Sequence, residues 1–212
     1  MKNQKTIDLF LYWNRLRGNR PAPRRTEVEP ADIKTLLADT FILEDDQRGQ
    51  PVFRLAGTRL CAIFGRELKG FVFSSLWQDR DRRMVARLAR NAFADNCVIV
   101  MEFSANSRNG RSMEFEACLL PLRGGDESAR ALGCIAPADR PFWLGVDPIE
   151  TCRLVSLRVI DPDREPMFLK NRPSFHVPPM EPEGRDLDLA IGAPAGRRVR
   201  HLMVLEGGRR DS

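Results

Sequence analysis

Histidine is almost missing from this 212-residue chain: its two copies, His176 and His201, both lie near the C-terminal end. A Ser-His or Cys-His catalytic pair therefore has no imidazole base ahead of Asp161. Cysteine is sparse as well, with five copies and no CxxC pair. That pattern argues against a disulfide framework and against a His/Cys zinc site, and it suits a reducing cytoplasm. Gly57, Gly65 and Gly70 do not spell GxGxxG, and no Lys-Ser/Thr pair follows them as in a Walker loop. A phosphate cradle is thus disfavoured. No apolar run reaches the length of a membrane span. The N-terminal MKNQKTIDLFLYWNRLRG carries charge on both sides of a short apolar patch and has no small-residue cleavage site. It reads as an amphipathic helix, not a signal peptide. The expectations are a cytoplasmic protein, no enzyme, no catalytic residue and no metal site.

What is present is an ordinary globular composition, 42% apolar, with a net charge of +5. The basic excess is mostly arginine, spread over several segments rather than gathered on one face, so nucleic acid is permitted but disfavoured as a partner. Residues 1–38 read as an N-terminal helical extension. Ile7, Phe10, Leu11 and Trp13 recur at helical spacing up to a stop at Gly18. The connector RPAPRR follows, and Pro30 then opens a short helix with Ile33, Leu36 and Leu37 on its apolar face. Residues 39–160 carry the main folding pattern. TFILED and VFRLAG are strand-like runs around the turn-rich DQRGQP. Thr58 is a plausible N-cap for a short helix that buries Leu60 and Phe64 and ends at Gly65.

The clearest helix spans 79–95, with Met84, Val85, Leu88, Ala89, Ala92 and Phe93 on one face and Arg80, Arg83, Arg87 and Arg90 on the other. VIVMEFSA and RSMEFEACLLPL then form a hairpin around Arg108-Asn109-Gly110. A three-residue loop with Gly110 in the left-handed conformation pairs Ala105 with Met113, Phe103 with Phe115 and Met101 with Ala117, placing apolar partners on one face. Glu114 and Glu116 fall on the polar side of that strand, where solvated carboxylates are usual. ALGCIAPA and RLVSLRVI supply further strands. From residue 161 to 212 prolines, glycines and charges dominate, as in a flexible tail, with HLMVLEG a segment able to form a strand or helix. The plan is α+β, one antiparallel sheet with helices packed on one face.

That order of elements resembles a PAS domain, closest to a variant PAS family found mainly as small stand-alone proteins in alphaproteobacteria. FRLAGTRLCAIFGRELKG is similar to that family's second strand, short helix, Phe-Gly and Leu-x-Gly progression. SSLWQDRDRRMVARLARNAF is similar to the following turn, the Asp-Arg pair and the long helix. YWNRLRG, PADIKTLLADTFILE and LGCIAPADRPFWLG resemble its flanks, so the likeness covers roughly residues 7 to 160. It implies a regulatory module that senses a small molecule or binds a protein without chemistry of its own. Some PAS domains hold haem through a histidine on the long helix, and none is present there; cysteine ligation stays open. A light-oxygen-voltage flavin site needs Asn-Cys-Arg-Phe-Leu, whereas Cys61 stands in Leu-Cys-Ala and Cys97 begins a strand. No cofactor is therefore expected.

The candidate ligand pocket is the apolar interior: Phe53, Leu55, Leu60, Phe64, Phe71, Trp77, Met101, Phe103, Met113 and Phe115. Candidates for a partner surface, facing a signalling protein or a second copy, are Phe10, Trp13, Arg83, Arg87 and Arg90. Phe10 and Trp13 present more apolar surface than a solvated helix tolerates, so they are expected to cover either the core of the main body or a second copy. The favoured expectation is a non-enzymatic sensor or adaptor; the competing one is a basic adaptor that engages nucleic acid or an acidic protein through its arginines.

Overall fold

The computed structural model describes residues 1–123 and 130–162, with the backbone of three short strand segments at 175–176, 197–199 and 202–204. The chain forms two compact units, Met1–Pro178 and Pro179–Ser212. In the second unit, β8 (Arg197–Val199) pairs antiparallel with β9 (Leu202–Val204). Most of the expected flexible tail from 161 lies outside the described residues.

The first unit is built on an antiparallel sheet in the order β2-β1-β5-β4-β3-β6-β7. Its strands are β1 (Thr40–Asp45), β2 (Pro51–Ala56), β3 (Val98–Ser107), β4 (Ser112–Leu122), β5 (Arg130–Pro137), β6 (Ile149–Ile160) and the two-residue β7 (Phe175–His176). β3 and β4 pair in the expected register, with Met101 opposite Ala117, Phe103 opposite Phe115 and Ala105 opposite Met113. Gly110 sits at φ +77°, the left-handed turn position that spares the strands a slip.

On one face lie α2 (Thr58–Ile63), a 3-10 turn at Phe73–Leu76 and the long helix α3 (Asp79–Ala94). α2 is capped one residue earlier than expected, because the Gly57 carbonyl already accepts from the Cys61 N–H at 3.1 Å. α3 buries Val85, Leu88, Ala89 and Ala92 and exposes Arg80, Arg83, Arg87 and Arg90. The helices of this PAS-like body are on one face, as expected. The N-terminal extension supplies a second layer on the opposite face.

That layer is α1 (Gln4–Arg17), followed by 3-10 turns at Arg25–Glu27 and Pro30–Ile33. Leu9, Phe10, Trp13, Ile33 and Leu36 pack on Val98, Val100, Cys118, Leu120, Leu132 and Cys134, the outward side chains of β3, β4 and β5. Phe10 and Trp13 are consequently buried, at 5% and 0% exposure, and are not free partner surface. The Trp13 indole N–H also donates to the Pro121 carbonyl at 2.6 Å. The physical reason is area: aromatic side chains of this size have more to gain against an uncovered sheet face than in water.

One cross-strand pair on the inner face is especially tight. Phe41 of β1 stands opposite Gly133 of β5, and a Cβ added at Gly133 would fall inside the van der Waals surface of the Phe41 ring. Gly133→Ala should therefore cost about 1–3 kcal/mol by overpacking. Phe41→Leu in the Gly133→Ala background should recover part of that loss in urea unfolding, and additive losses would show that the ring and the glycine do not share the site.

Candidate functional site

The inner layer collects aromatic rings from elements far apart in sequence. Phe41 and Phe53 stand 5.5 Å apart edge to face, and Phe73 lies 5.8 and 5.6 Å from them. Trp77 follows at 6.1 Å from Phe73, Phe103 at 4.8 Å from Trp77, and Phe115 stacks on Phe103 at 5.2 Å. These spacings are those of favourable offset and T-shaped pairs, so the rings fill the space between the sheet and α2 and α3 with one another. Of the expected pocket residues, Phe53, Leu60, Phe64, Trp77, Met101, Phe103 and Phe115 belong to this core, and Met113 is half-buried against it. The Trp77 Nε1 is buried there with no hydrogen-bond partner, leaving an unsatisfied donor among apolar rings.

Leu55 and Phe71 do not face this interior; they are 49% and 43% exposed. Alternation from Phe53 would point Leu55 inward, but the β1–β2 ladder shifts register between Ile42 and Leu43. Leu43 stands opposite Phe53, while Ile42 stands opposite Leu55. The irregularity turns Leu55 to the other face of an edge strand. Phe71 lies outside beneath the Arg66 guanidinium, 5.1 Å from its ring, and Phe73 occupies the interior position instead. Phe41 and Phe73 were missed, although Phe73 is two residues from Phe71, the spacing that shares a face in extended chain.

Three cysteines lie in apolar surroundings. Burial pushes the Cys118 thiol up to about 12 and raises Cys134 and Cys152 as well, so all three stand as neutral side chains.

The polar part of the site lies where the two helical layers meet the sheet. Glu116, expected in solvent, is 6% exposed and sits at the start of α1. It accepts the backbone N–H groups of Lys2 at 2.7 Å and Asn3 at 3.1 Å, and the Thr6 hydroxyl. A carboxylate in this place meets the unpaired donors and positive end of the helix, which explains why strand alternation alone misassigned it. Asn3 caps the same helix through the Lys5 N–H at 3.0 Å and donates its own amide to the Pro137 carbonyl at 2.9 Å. Asp39, at the entrance to β1, is fully buried. It pairs with Lys5 of α1 and with Arg59 of α2, through the same carboxylate oxygen. One side chain thus ties the outer helix to the inner one. No sequence periodicity marks such a bridge, since its members are distant in the chain.

Arg83, Arg87 and Arg90 are exposed along α3. Near Arg90, Asp45 ends β1 with its Oδ1 buried and without a hydrogen-bond partner. Burial raises the Asp45 carboxyl above the ordinary aspartate range, with Arg90 opposing and Asp46 adding to the rise.

A family model for the PAS domain matches residues 1–136, well over half of the chain. No match was found among curated proteins. Among the described residues, no helix is long and apolar enough to cross a membrane.

The Asp45 shift has a definite sign. A carboxyl raised in the folded state contributes stability below its unfolded value, and that contribution is lost as pH rises through the folded value. Asp45→Asn should therefore raise the Tm at pH 7, and its advantage should vanish below about pH 4. Thermal scans from pH 3 to 8 check this; a Tm lowered at pH 7 would mean that Arg90 outweighs burial.

Proposed function

Because the chain belongs to the PAS domain family, we propose that it is a non-enzymatic sensory or regulatory module that reports changes on its inner helical face through α1. The observation that carries this reading is the buried Asp39, shared between Lys5 of α1 and Arg59 of α2. A ligand or partner that shifts α2 changes how Asp39 is paired, and with it the strength of the hold of Asp39 on Lys5 of α1. The coupling needs only two packings of similar free energy and a differential contact between them. Couplings of about 1–3 kcal/mol are typical of such links. The aromatic interior supports a sensor in which ring repacking accompanies binding, and the Trp77 N–H is the donor a guest there would satisfy. The receiving partner is a signalling protein or a second copy of the chain.

A second reading, a basic adaptor for nucleic acid or an acidic protein, rests on the exposed Arg83, Arg87 and Arg90 of α3. It predicts affinity that falls steeply with salt, since each neutralised phosphate releases counterions.

Two measurements separate them. Asp39→Asn should speed amide hydrogen exchange in both α1 and α2 at least severalfold while the β3–β4 hairpin stays protected. Faster exchange in only one of the two helices would remove the coupling. Replacing Arg83, Arg87 and Arg90 together by glutamine should leave the exchange pattern unchanged. Tight, sequence-selective DNA or RNA binding at 150 mM salt, lost in that triple variant, would favour the adaptor instead.

A further inference from the structure

Outside the aromatic interior, a surface cleft of about 310 Å³ opens between α2 and the segment from Pro137 to Val146. Its apolar lining includes Ala62 and Ile63 on the α2 side and Pro141, Leu144 and Val146 on the other. Two arginines, Arg59 and Arg140, line the same space. We propose that this cleft binds an amphipathic monocarboxylate, an acyl-chain acid whose head group meets the two guanidiniums and whose tail lies along the apolar wall.

The charge present favours a single negative charge. The charged residues lining the cleft are Arg59 and Arg140, and of these Arg59 is paired with the buried Asp39, which leaves one net positive charge at the cleft. Arg59 is already matched to a carboxylate in Asp39, yet its side chain is 41% exposed while Asp39 is fully buried. One side of the guanidinium thus faces the protein and the rest remains open to a second carboxylate. A planar guanidinium takes such a group in two parallel hydrogen bonds, which a lysine ammonium does not.

The wall opposite α2 is held in place before any ligand arrives. Asp147, 5% exposed, accepts the Ser107 hydroxyl at 2.7 Å and the Asn109 amide at 2.8 Å. The N–H groups of Val146 and Asp147 both donate to the Trp143 carbonyl at 2.9 Å. Val146 nevertheless remains 80% exposed. An apolar side chain kept in water on a pinned segment is the arrangement that an apolar guest would relieve, without a further ordering cost.

Binding also bears on the regulatory reading, and in this part the inference rests on it. A ligand carboxylate on Arg59 competes with Asp39, the residue that also holds Lys5. Occupancy of the cleft would then leave Asp39 more fully to Lys5 and tighten α1 on the sheet.

The test is titration calorimetry of the full chain with straight-chain carboxylates from acetate to dodecanoate, each below its micellar concentration. Decan-1-ol and decyltrimethylammonium serve as controls of head-group charge. Affinity should rise about twofold to fourfold per added methylene until the cleft is full. Decanoate should bind at least tenfold more tightly than either control. Arg140→Ala and Val146→Asp, both at exposed positions, should each weaken decanoate at least tenfold with an unchanged Tm. The site is overturned if no carboxylate in the series binds, if decan-1-ol binds as well as decanoate, or if both variants bind decanoate like the parent. Hydrogen exchange of α1 with and without decanoate separates site from signal. Arg140-dependent binding that leaves α1 exchange unchanged keeps the site and overturns its link to α1.

Discussion

A sheet that is apolar on both faces must be covered twice, and the middle of this one leaves no alternative. Along β4, Ala117 and Leu119 belong to the inner core while Cys118 and Leu120 belong to the outer one, all of them buried. β3 and β5 repeat the pattern with Ile99 and Ile135 inward and Val98, Val100, Leu132 and Cys134 outward. Covering only one face would leave the other open to water or to another chain. α1 is for this reason a structural layer of the domain rather than an attachment to it. The PAS family match, which begins at residue 1, includes it.

Apolar burial alone would hold α1 on the sheet but would not choose its position. The choice comes from a few polar groups in otherwise apolar surroundings. Glu116 meets the first turn of α1, Asn3 ties the same end to Pro137, and the Trp13 indole reaches Pro121 further along the helix. Asp39 fixes Lys5 from the sheet side. A buried carboxylate is costly to leave without its partners, so each of these contacts penalises a slipped or rotated helix more than it strengthens the docked one. The same property suits a regulatory element, because loss of one partner destabilises a specific arrangement without dissolving the whole layer.

The inner layer follows a different logic. Its aromatic side chains meet ring against ring from β1 and β2 through to β3 and β4, and the polar exception is the Trp77 indole. Mixed chemistry lies off this axis, beside α2, where arginines and apolar side chains share a cleft. α2 touches both regions, and through Arg59 it also touches Asp39. It is the short element on which packing, charge and the outer layer converge.

Much of the framework was determined by sequence alone. Period-two alternation in RSMEFEACLLPL and VIVMEFSA, with a glycine at the turn, specified the β3–β4 register because a one-residue slip reverses every side chain. The helical stripe of 79–95 specified both the buried and the basic face of α3. The continuous apolar run in ACLLPL fits a strand buried on both sides, a feature that the one-face plan drawn from the sequence did not use. Other features were settled only by tertiary structure. The register shift opposite Ile42 and Leu43 turned Leu55 outward, and no local pattern announces such a shift. The position of α1 buried Phe10 and Trp13 and made Glu116 a helix cap, although its place in the strand alternation suggests water. The Lys5–Asp39–Arg59 bridge joins residues 34 and 20 positions apart. Periodicity reports which face of its own element a residue occupies; which other element comes to cover that face is decided by long-range packing, and the site is made there.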